Sequence, residues 1–324
     1  MRVGTFAVGV AALVVTAPAA AGPTEDLAAL SDRYWAFVMR ESPVYASMLG
    51  KHEYDDRLGD ISLAAEDRRA GEYGRFLSQL DAIPEAGLSS ADRVNKAILK
   101  RGLEESVEGN RFGQRMMLFT NRSGWHQNLA GLADALTFRG AADYDNYLKR
   151  LAAYPALNDE ALKISSRALA EGYVLPCVAL DGVEQTISGV IPADATKSRL
   201  YAPFAAKRPE TIAAGDWAAL QTRARKLING DLRAAYARHL AWYSGSYKPK
   251  CTASVGISAL PGGKEYYNFR IRQYTTTTRT ADNIHALGLS EVARIRSEME
   301  KVAKQAGFAS REAMIADLRT NPKY

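Results

Sequence analysis

The sequence has 324 residues, of which 47% are hydrophobic and 24% are charged, a composition that excludes a disordered chain and allows a large buried core. Its net charge of +6 would suit an anionic partner, but 42 Lys and Arg residues are dispersed among 36 Asp and Glu residues. We therefore expect a solvated, mildly basic surface and no nucleic-acid partner.

The first 21 residues have the pattern of a signal peptide. Arg2 precedes an apolar run from Phe6 to Val15, and the segment ends in three alanines at 19–21. The run is too short to span a bilayer, and no cysteine follows the cleavage site to carry a lipid anchor. We expect residues 22–324 to be a secreted chain, periplasmic or extracellular, with no membrane anchor.

Apolar residues recur at helical spacing along the mature chain. Such stripes usually face a protein core, so the sequence predicts a mainly α fold, a multi-helix array with long irregular loops and at most a few short strands. Residues 22–324 show no repeat or linker and are predicted to form a single domain. The three clearest stripes are Leu27, Leu30, Tyr34 and Phe37; then Leu220, Leu227, Ile228, Leu232, Tyr236, Leu240 and Tyr243; then Val292, Ile295, Met299, Val302 and Ala306.

Local signals mark helix starts and loops. Ser89 and Asp92 have the spacing of a capping box, for a helix that carries Val94 and Ile98. Three less regular segments are the candidate locations of a functional site, because long loops in a helical body commonly cover or line such a site. They are residues 116–129, 174–204 and 247–263.

Two cysteines, Cys177 and Cys251, each lie beside a proline in an irregular segment. In an oxidising compartment two free thiols are a liability, so we expect a structural disulfide, which for a long loop stabilises by about 2–4 kcal/mol. A catalytic thiol is the alternative, although neither cysteine lies in a recognisable nucleophile motif.

The stretch SALPGGKEYY at 258–267 marks a turn. Pro261 ends the preceding segment of secondary structure, and Gly262-Gly263 permits a tight turn with positive φ. Residues 264–273 then fit either a short helix, which we favour, or a strand.

Motifs of known catalytic classes are absent from the sequence. Ser258 in GISAL lacks the second glycine of a nucleophile elbow. His52 begins HEYDD, which imitates a zinc helix through Asp56, but glycines flank it and an exposed loop is the simpler interpretation. His239 fits a boundary position in a helix. His126, beside a glycine and a tryptophan, could reach a cleft, although a structural histidine is the more common case.

Six phrases, in order along the mature chain, resemble the N-terminal half of a large bacterial family, domain of unknown function 885 (DUF885). Full-length members of that family resemble gluzincin-type zinc peptidases. The phrases are RESPVYASMLGKHEYDDRLGDIS (40–62), SSADRVNKAILKRGLEES (89–106), ADYDNYLKRLAAYP (142–155), DATKSRLYAPF (194–204), SALPGGKEYYNFRIRQYTTT (258–277) and IHALGLSEVARIRSEME (284–300).

The resemblance implies a cleft but no metal site in this chain. The family's H-E-x-x-H helix belongs to a C-terminal half that this sequence lacks, so we expect no cofactor here and zinc only if such a half is present. The implied cleft wall comprises Gly262, Gly263, Tyr266, Tyr267 and Arg272, whose tyrosine and arginine side chains could hold a peptide. A structural turn anchored by its tyrosines is the alternative.

Three hypotheses about function follow. The chain is the N-terminal half of a zinc metallopeptidase, inactive alone, whose partners are a peptide substrate and a C-terminal catalytic half. Alternatively, it is a non-catalytic periplasmic module that binds peptides or proteins. The third is an unrelated hydrolase that uses His126 or Ser258. For the first, we expect the apolar stripe within 281–318 to be only partly covered, with modest stability and a tendency to self-associate.

Overall fold

The computed structural model describes residues 22–324, and the predicted signal peptide at 1–21 lies outside this range. The mainly α prediction is confirmed: within the described residues there is no sheet, and an isolated parallel bridge joins Pro176 to Thr252. Two compact units can be distinguished, one running to Asp55 and including Asp67–Val107, the other comprising Asp56–Glu66 and Glu108–Tyr324. The single domain stays a prediction. None of the helices in the described range is both long and apolar enough to cross a membrane.

The first unit has a core of leucines and aromatic rings. Leu30 of the first stripe is fully buried in this core beside Leu80 and Leu103. The core face predicted for that stripe is thereby confirmed. One half of the predicted capping box is present, since the amide of Asp92 donates to Ser89 Oγ at 3.1 Å, while Ser89 Oγ donates to Asp92 Oδ2 at 2.8 Å. Val94 and Ile98 of α4 are exposed. The helices that lie wholly or mostly in this unit are α1 (Pro23–Glu41), α2 (Pro43–Met48), α3 (Leu63–Ala82) and α4 (Ser90–Gly109).

The second unit is built around two long helical segments. One is α6, and the other is a continuous helix in which two π-helical turns flank α10. The residues of the second predicted stripe are buried along it, except that Leu227 and Leu240 are half-buried. The bounds are α5 (Trp125–Ala130), α6 (Ala141–Ala170), α7 (Val183–Ser188), α8 (Ala202–Ala205), α9 (Ala214–Leu227), the first π turn (Ile228–Leu232), α10 (Arg233–Trp242), the second π turn (Tyr243–Tyr247) and α11 (Gly263–Thr275).

A helical hairpin of α12 (Ala281–Gln305) and α13 (Arg311–Thr320) ends the chain. Ala303 is the one residue of α12 that is buried. Val292, Ile295 and Val302, which were predicted to face the core, are 47%, 44% and 52% exposed. The general expectation of a core face is therefore wrong for this helix, whereas the expectation of an incompletely covered stripe is confirmed.

Candidate functional site

The Gly-Gly turn places the start of α11, which settles the choice between helix and strand in favour of the helix. Gly262 has φ of 59°, a left-handed conformation that glycine adopts without strain. At Gly263 a Cβ atom would lie 2.0 Å from the carbonyl oxygen of Ile257, so no side chain fits. The two glycines are thus needed for different reasons, one for its backbone conformation and the other for a close approach.

The side chains predicted to line a cleft have different surroundings. Tyr266 is half-buried and packs edge-on against Phe112, with ring centroids 5.4 Å apart. Tyr267 is 47% exposed. Arg272 forms an ion pair with Glu108. A substrate carboxylate at Arg272 would therefore have to compete with Glu108, while Tyr267 is open to a ligand.

A row of aromatic and cationic side chains lies along α11 and was not predicted from the sequence. The guanidinium of Arg270 lies 5.9 Å from the ring centroid of Tyr266 and 4.5 Å from that of Tyr274, and it donates a hydrogen bond to the Tyr274 hydroxyl. Tyr274 is 73% exposed. The i, i+4, i+8 spacing of these three residues is the signal that could have revealed the row.

His126 lies in a buried cluster and has no solvent exposure. The hydroxyl of Thr186 donates to the carbonyl of Val183 at 2.7 Å, so it accepts from His126 Nε2 at 2.9 Å. His126 is therefore protonated on Nε2, and its buried Nδ1 has no hydrogen-bond partner. Its ring contacts are with Trp125 and His239, not with α11.

The prediction that His239 occupies a boundary position is wrong, because the residue is fully buried. Its ring lies 5.0 Å from that of His126, and neither of its nitrogens has a hydrogen-bond partner. Burial lowers the pKa of His126 to about 4. Burial, and then the nearby His126, lower the pKa of His239 to about 3. Both imidazoles are consequently neutral near pH 7.

Hydrogen bonds hold this cluster between α5, α6, α7 and α10. The indole of Trp125 donates to Asn158 Oδ1 at 2.9 Å, and Asn158 Nδ2 donates to the carbonyl of Ala235 at 3.2 Å. The hydroxyl of Tyr236 donates to the carbonyl of His126 at 2.7 Å. A neutral, buried imidazole fixed on both its ring and its backbone is suited to packing rather than to proton transfer with a solvent-borne substrate.

The arrangement gives no support to a serine hydrolase. A serine nucleophile needs a base within hydrogen-bond reach. Ser258 is exposed, whereas His126 is buried and bonded to Thr186. At HEYDD, His52 Nδ1 lies 2.7 Å from Asp55 Oδ2 and Asp56 pairs with Arg57, so the two side chains of the zinc-like pattern have different partners.

The residues that the structure describes do not form a site that fits zinc. In the described range, no group of three or more His, Cys, Asp or Glu side chains lies close enough to hold a metal ion. A catalytic zinc site needs three protein ligands, so no chemical step through a metal is derived from these residues.

The predicted disulfide between Cys177 and Cys251 is present. Beside it, the amide of Cys177 donates to the carbonyl of Thr252 at 2.9 Å, and the amide of Thr252 donates to that of Leu175 at 3.2 Å. The bond joins positions 74 residues apart in sequence. The alternative of a catalytic thiol is wrong, because both sulfurs are bonded.

Comparison with known proteins supplies a family and a fold. The profile of the family described as "Bacterial protein of unknown function (DUF885)" matches residues 43–324. A crystal structure described as that of the "putative lipoprotein" from Colwellia psychrerythraea is similar, with a TM-score of 0.78 at 16% identity. The alignment covers 94% of this chain and 55% of that one, so the chain spans about half the length of its structural relative. No curated protein matches the chain.

Proposed function

The chain belongs to the DUF885 family, and on that premise we propose that it is the N-terminal helical half of an exported zinc metallopeptidase, inactive without a catalytic half. The observation that carries the proposal is the apolar stripe of α12, in which Val292, Ile295 and Val302 are each more than two-fifths exposed. Exposed stripes of this kind commonly mark an interface. The chain also spans about half the length of the Colwellia structure, whose other half would correspond to the catalytic half in this proposal.

In this proposal the start of α11 supplies a wall of the substrate cleft. Tyr267 and the Arg270–Tyr274 pair offer hydroxyl and guanidinium donors beside exposed rings. Such groups can hold a peptide backbone by hydrogen bonds and side chains by stacking. Zinc, supplied by the second half, would activate the attacking water. The residues of this chain would bind and orient the peptide.

Export is part of the proposal. The signal-peptide pattern at 1–21 and the disulfide between Cys177 and Cys251 both suit an oxidising compartment outside the cytoplasm. We place the protein in the periplasm or outside the cell.

Native mass spectrometry with zinc analysis, on protein recovered from the cell envelope, tests the proposal. We expect the chain to be recovered with a second polypeptide, or as part of a longer one, that carries zinc and an H-E-x-x-H sequence. Recovery of the chain alone, free of metal and with the mass of residues 22–324, would count against it.

A non-catalytic module that binds peptides or proteins is the second candidate. The exposed Tyr267 and Tyr274 favour it, since surface aromatic side chains are enriched in binding sites. Peptide binding to the isolated chain, lost on replacement of both tyrosines by Ser, would support this candidate when no zinc-bearing partner is found.

A further inference from the structure

The α12–α13 hairpin contains a pocket of about 480 Å³ whose charge is not balanced. Three arginines line it, Arg296, Arg311 and Arg319, together with a single acid, Glu312, which is bonded to Arg311. In the described range neither Arg296 nor Arg319 has an ion-pair or hydrogen-bond partner. The pocket therefore presents at least two guanidinium groups to whatever occupies it.

Arg311 adds an independent sign of a missing partner. Its Nε is buried and makes no hydrogen bond. Buried donors in native proteins are nearly always satisfied, and leaving one unpaired costs on the order of 1–3 kcal/mol. An acceptor from outside the described residues would supply the missing bond.

The acids nearest in sequence do not fill this role. Glu291 and Glu298 both accept hydrogen bonds from Arg294, and Glu300 accepts from the backbone amide of Arg311 at 3.3 Å. The carboxylates of α12 are thus engaged elsewhere, which leaves the pocket arginines available to an added acid.

The pocket is continuous with the exposed apolar stripe of α12. Met299, Ile315 and Ala316 line it alongside the arginines. Met299 also belongs to the stripe, which runs from Val292 to Ala306 and at 1.5 Å per residue is about 21 Å long. A surface of that length, apolar along one edge and cationic at one end, matches a helix of similar length better than it matches a small free anion.

A second copy of this chain fits poorly. In a two-fold dimer the same surface would meet itself, so Arg296 and Arg319 would meet only acids of α12 and α13. Of these acids, Glu291 and Glu298 already pair with Arg294, and Glu312 already pairs with Arg311.

We infer that the α12–α13 hairpin is the docking surface for an amphipathic helix that lays apolar residues along α12 and places carboxylates against Arg296, Arg311 and Arg319. The inference rests on the proposed function in one respect, that this acidic helix belongs to the catalytic half. Recognition of an amphipathic helix by an apolar groove, with arginine–carboxylate pairs that fix its register, is a common binding mode.

Two synthetic 18-residue helices test this directly on the purified chain. Both carry the same leucine stripe, and one has glutamates on its flanks while the other has lysines. We expect the glutamate peptide to bind roughly tenfold more tightly at low salt, on the scale of two charge pairs at a partly buried interface, with the difference shrinking as salt is added.

Charge reversal supplies the specific readout. Arg296→Glu with Arg319→Glu should invert the preference, so that the lysine peptide binds better. Lys301→Glu with Lys304→Glu makes the same change in net charge on the hairpin, outside the pocket, and should leave the preference intact. Circular dichroism confirms that all variants fold.

Equal binding of the two peptides, binding of neither, or a preference that the Lys301/Lys304 variant alters as much as the arginine variant does would each overturn the inference. The proposed function fails separately, if no zinc-bearing half is recovered from cells. Peptide selectivity without such a half would leave the docking surface standing and remove its assignment to a peptidase.

Discussion

The rings of Trp125 and His239 stack with centroids 4.3 Å apart and an interplanar angle of 19°. This contact joins α5 to α10 at a point where His239 has no hydrogen-bond partner for either nitrogen. Burial, and then the nearby His126, hold His239 in its neutral form, which makes the stability of the second unit depend on pH.

Stability should fall as the pH is lowered from about 6.5. Both histidines titrate at 6.5 ordinarily, but in the folded chain the pKa of His126 is about 4 and that of His239 about 3. The unfolded chain therefore binds protons first as the pH falls, and the free energy of unfolding decreases until the folded pKa is reached, by on the order of 2–3 kcal/mol for each histidine between pH 6.5 and pH 4.5. Urea unfolding at pH 7 and pH 4.5 measures the decrease. His239→Leu should reduce it, and replacement of the exposed His285 by Leu should not.

The disulfide should contribute a large share of the stability. It joins Cys177 to Cys251 across 74 residues, and loss of a bond that closes such a loop typically costs about 2–5 kcal/mol. Cys177→Ser with Cys251→Ser should lower the melting temperature in calorimetry. The double variant should also be insensitive to reductant, whereas the native chain should melt earlier when reduced. Identical melting of native and reduced chains would contradict this.

Thr276 is strained. It has φ of 57° at the end of α11, and it is the one non-glycine residue with positive φ in the described range. The left-handed conformation costs a β-branched residue roughly 1–2 kcal/mol. Thr276→Gly should therefore raise the free energy of unfolding by about 1 kcal/mol. Thr278→Gly is the matched control and should stabilise nothing, because its φ is negative and the flexible glycine only adds entropy to the unfolded chain.

The two glycines before α11 should respond differently to alanine. Gly263→Ala places a Cβ atom against backbone, 2.0 Å from the carbonyl oxygen of Ile257, so the turn must shift. Gly262→Ala meets no atom within 4 Å and incurs only the cost of φ at 59°, about 1 kcal/mol. Thermal unfolding should show the larger loss for Gly263→Ala, and the reverse order would refute the assignment.

The exposed stripe should make the isolated chain self-associate once salt screens its arginines. Val292→Ser with Ile295→Ser removes apolar surface from the stripe and should reduce the association measured by sedimentation. Val94 and Ile98 are 58% and 66% exposed on α4, so Val94→Ser with Ile98→Ser is the matched control. A monodisperse native chain that melts cooperatively at high salt would contradict the prediction.

Local sequence signals predicted the local features of this fold. Proline and paired glycines before KEYY predicted the turn and helix of α11, and two cysteines in a chain with a signal-peptide pattern predicted their bond. These signals act over a few residues or depend on the compartment, so neighbouring structure does not change them.

The buried histidine pair could not be predicted in this way. His126 and His239 are 113 positions apart and meet only through packing of α5 on α10. Taken alone, His239 lies three residues after Tyr236 and four before Tyr243, a spacing that places it on the buried face of this helix, whereas its neighbour Leu240 is half-buried. The exposure of α12 could not be predicted either, because an apolar stripe has the same spacing in the sequence whether or not another surface covers it.

Peptide hydrolysis by the purified chain, measured by mass spectrometry on a mixture of random peptides with added zinc, examines the dependence on a second half. We expect no cleavage by residues 22–324 alone, and cleavage when the zinc-bearing half is added. Cleavage by the isolated chain that requires zinc and stops with a chelator would contradict the proposal that the catalytic residues belong to another half.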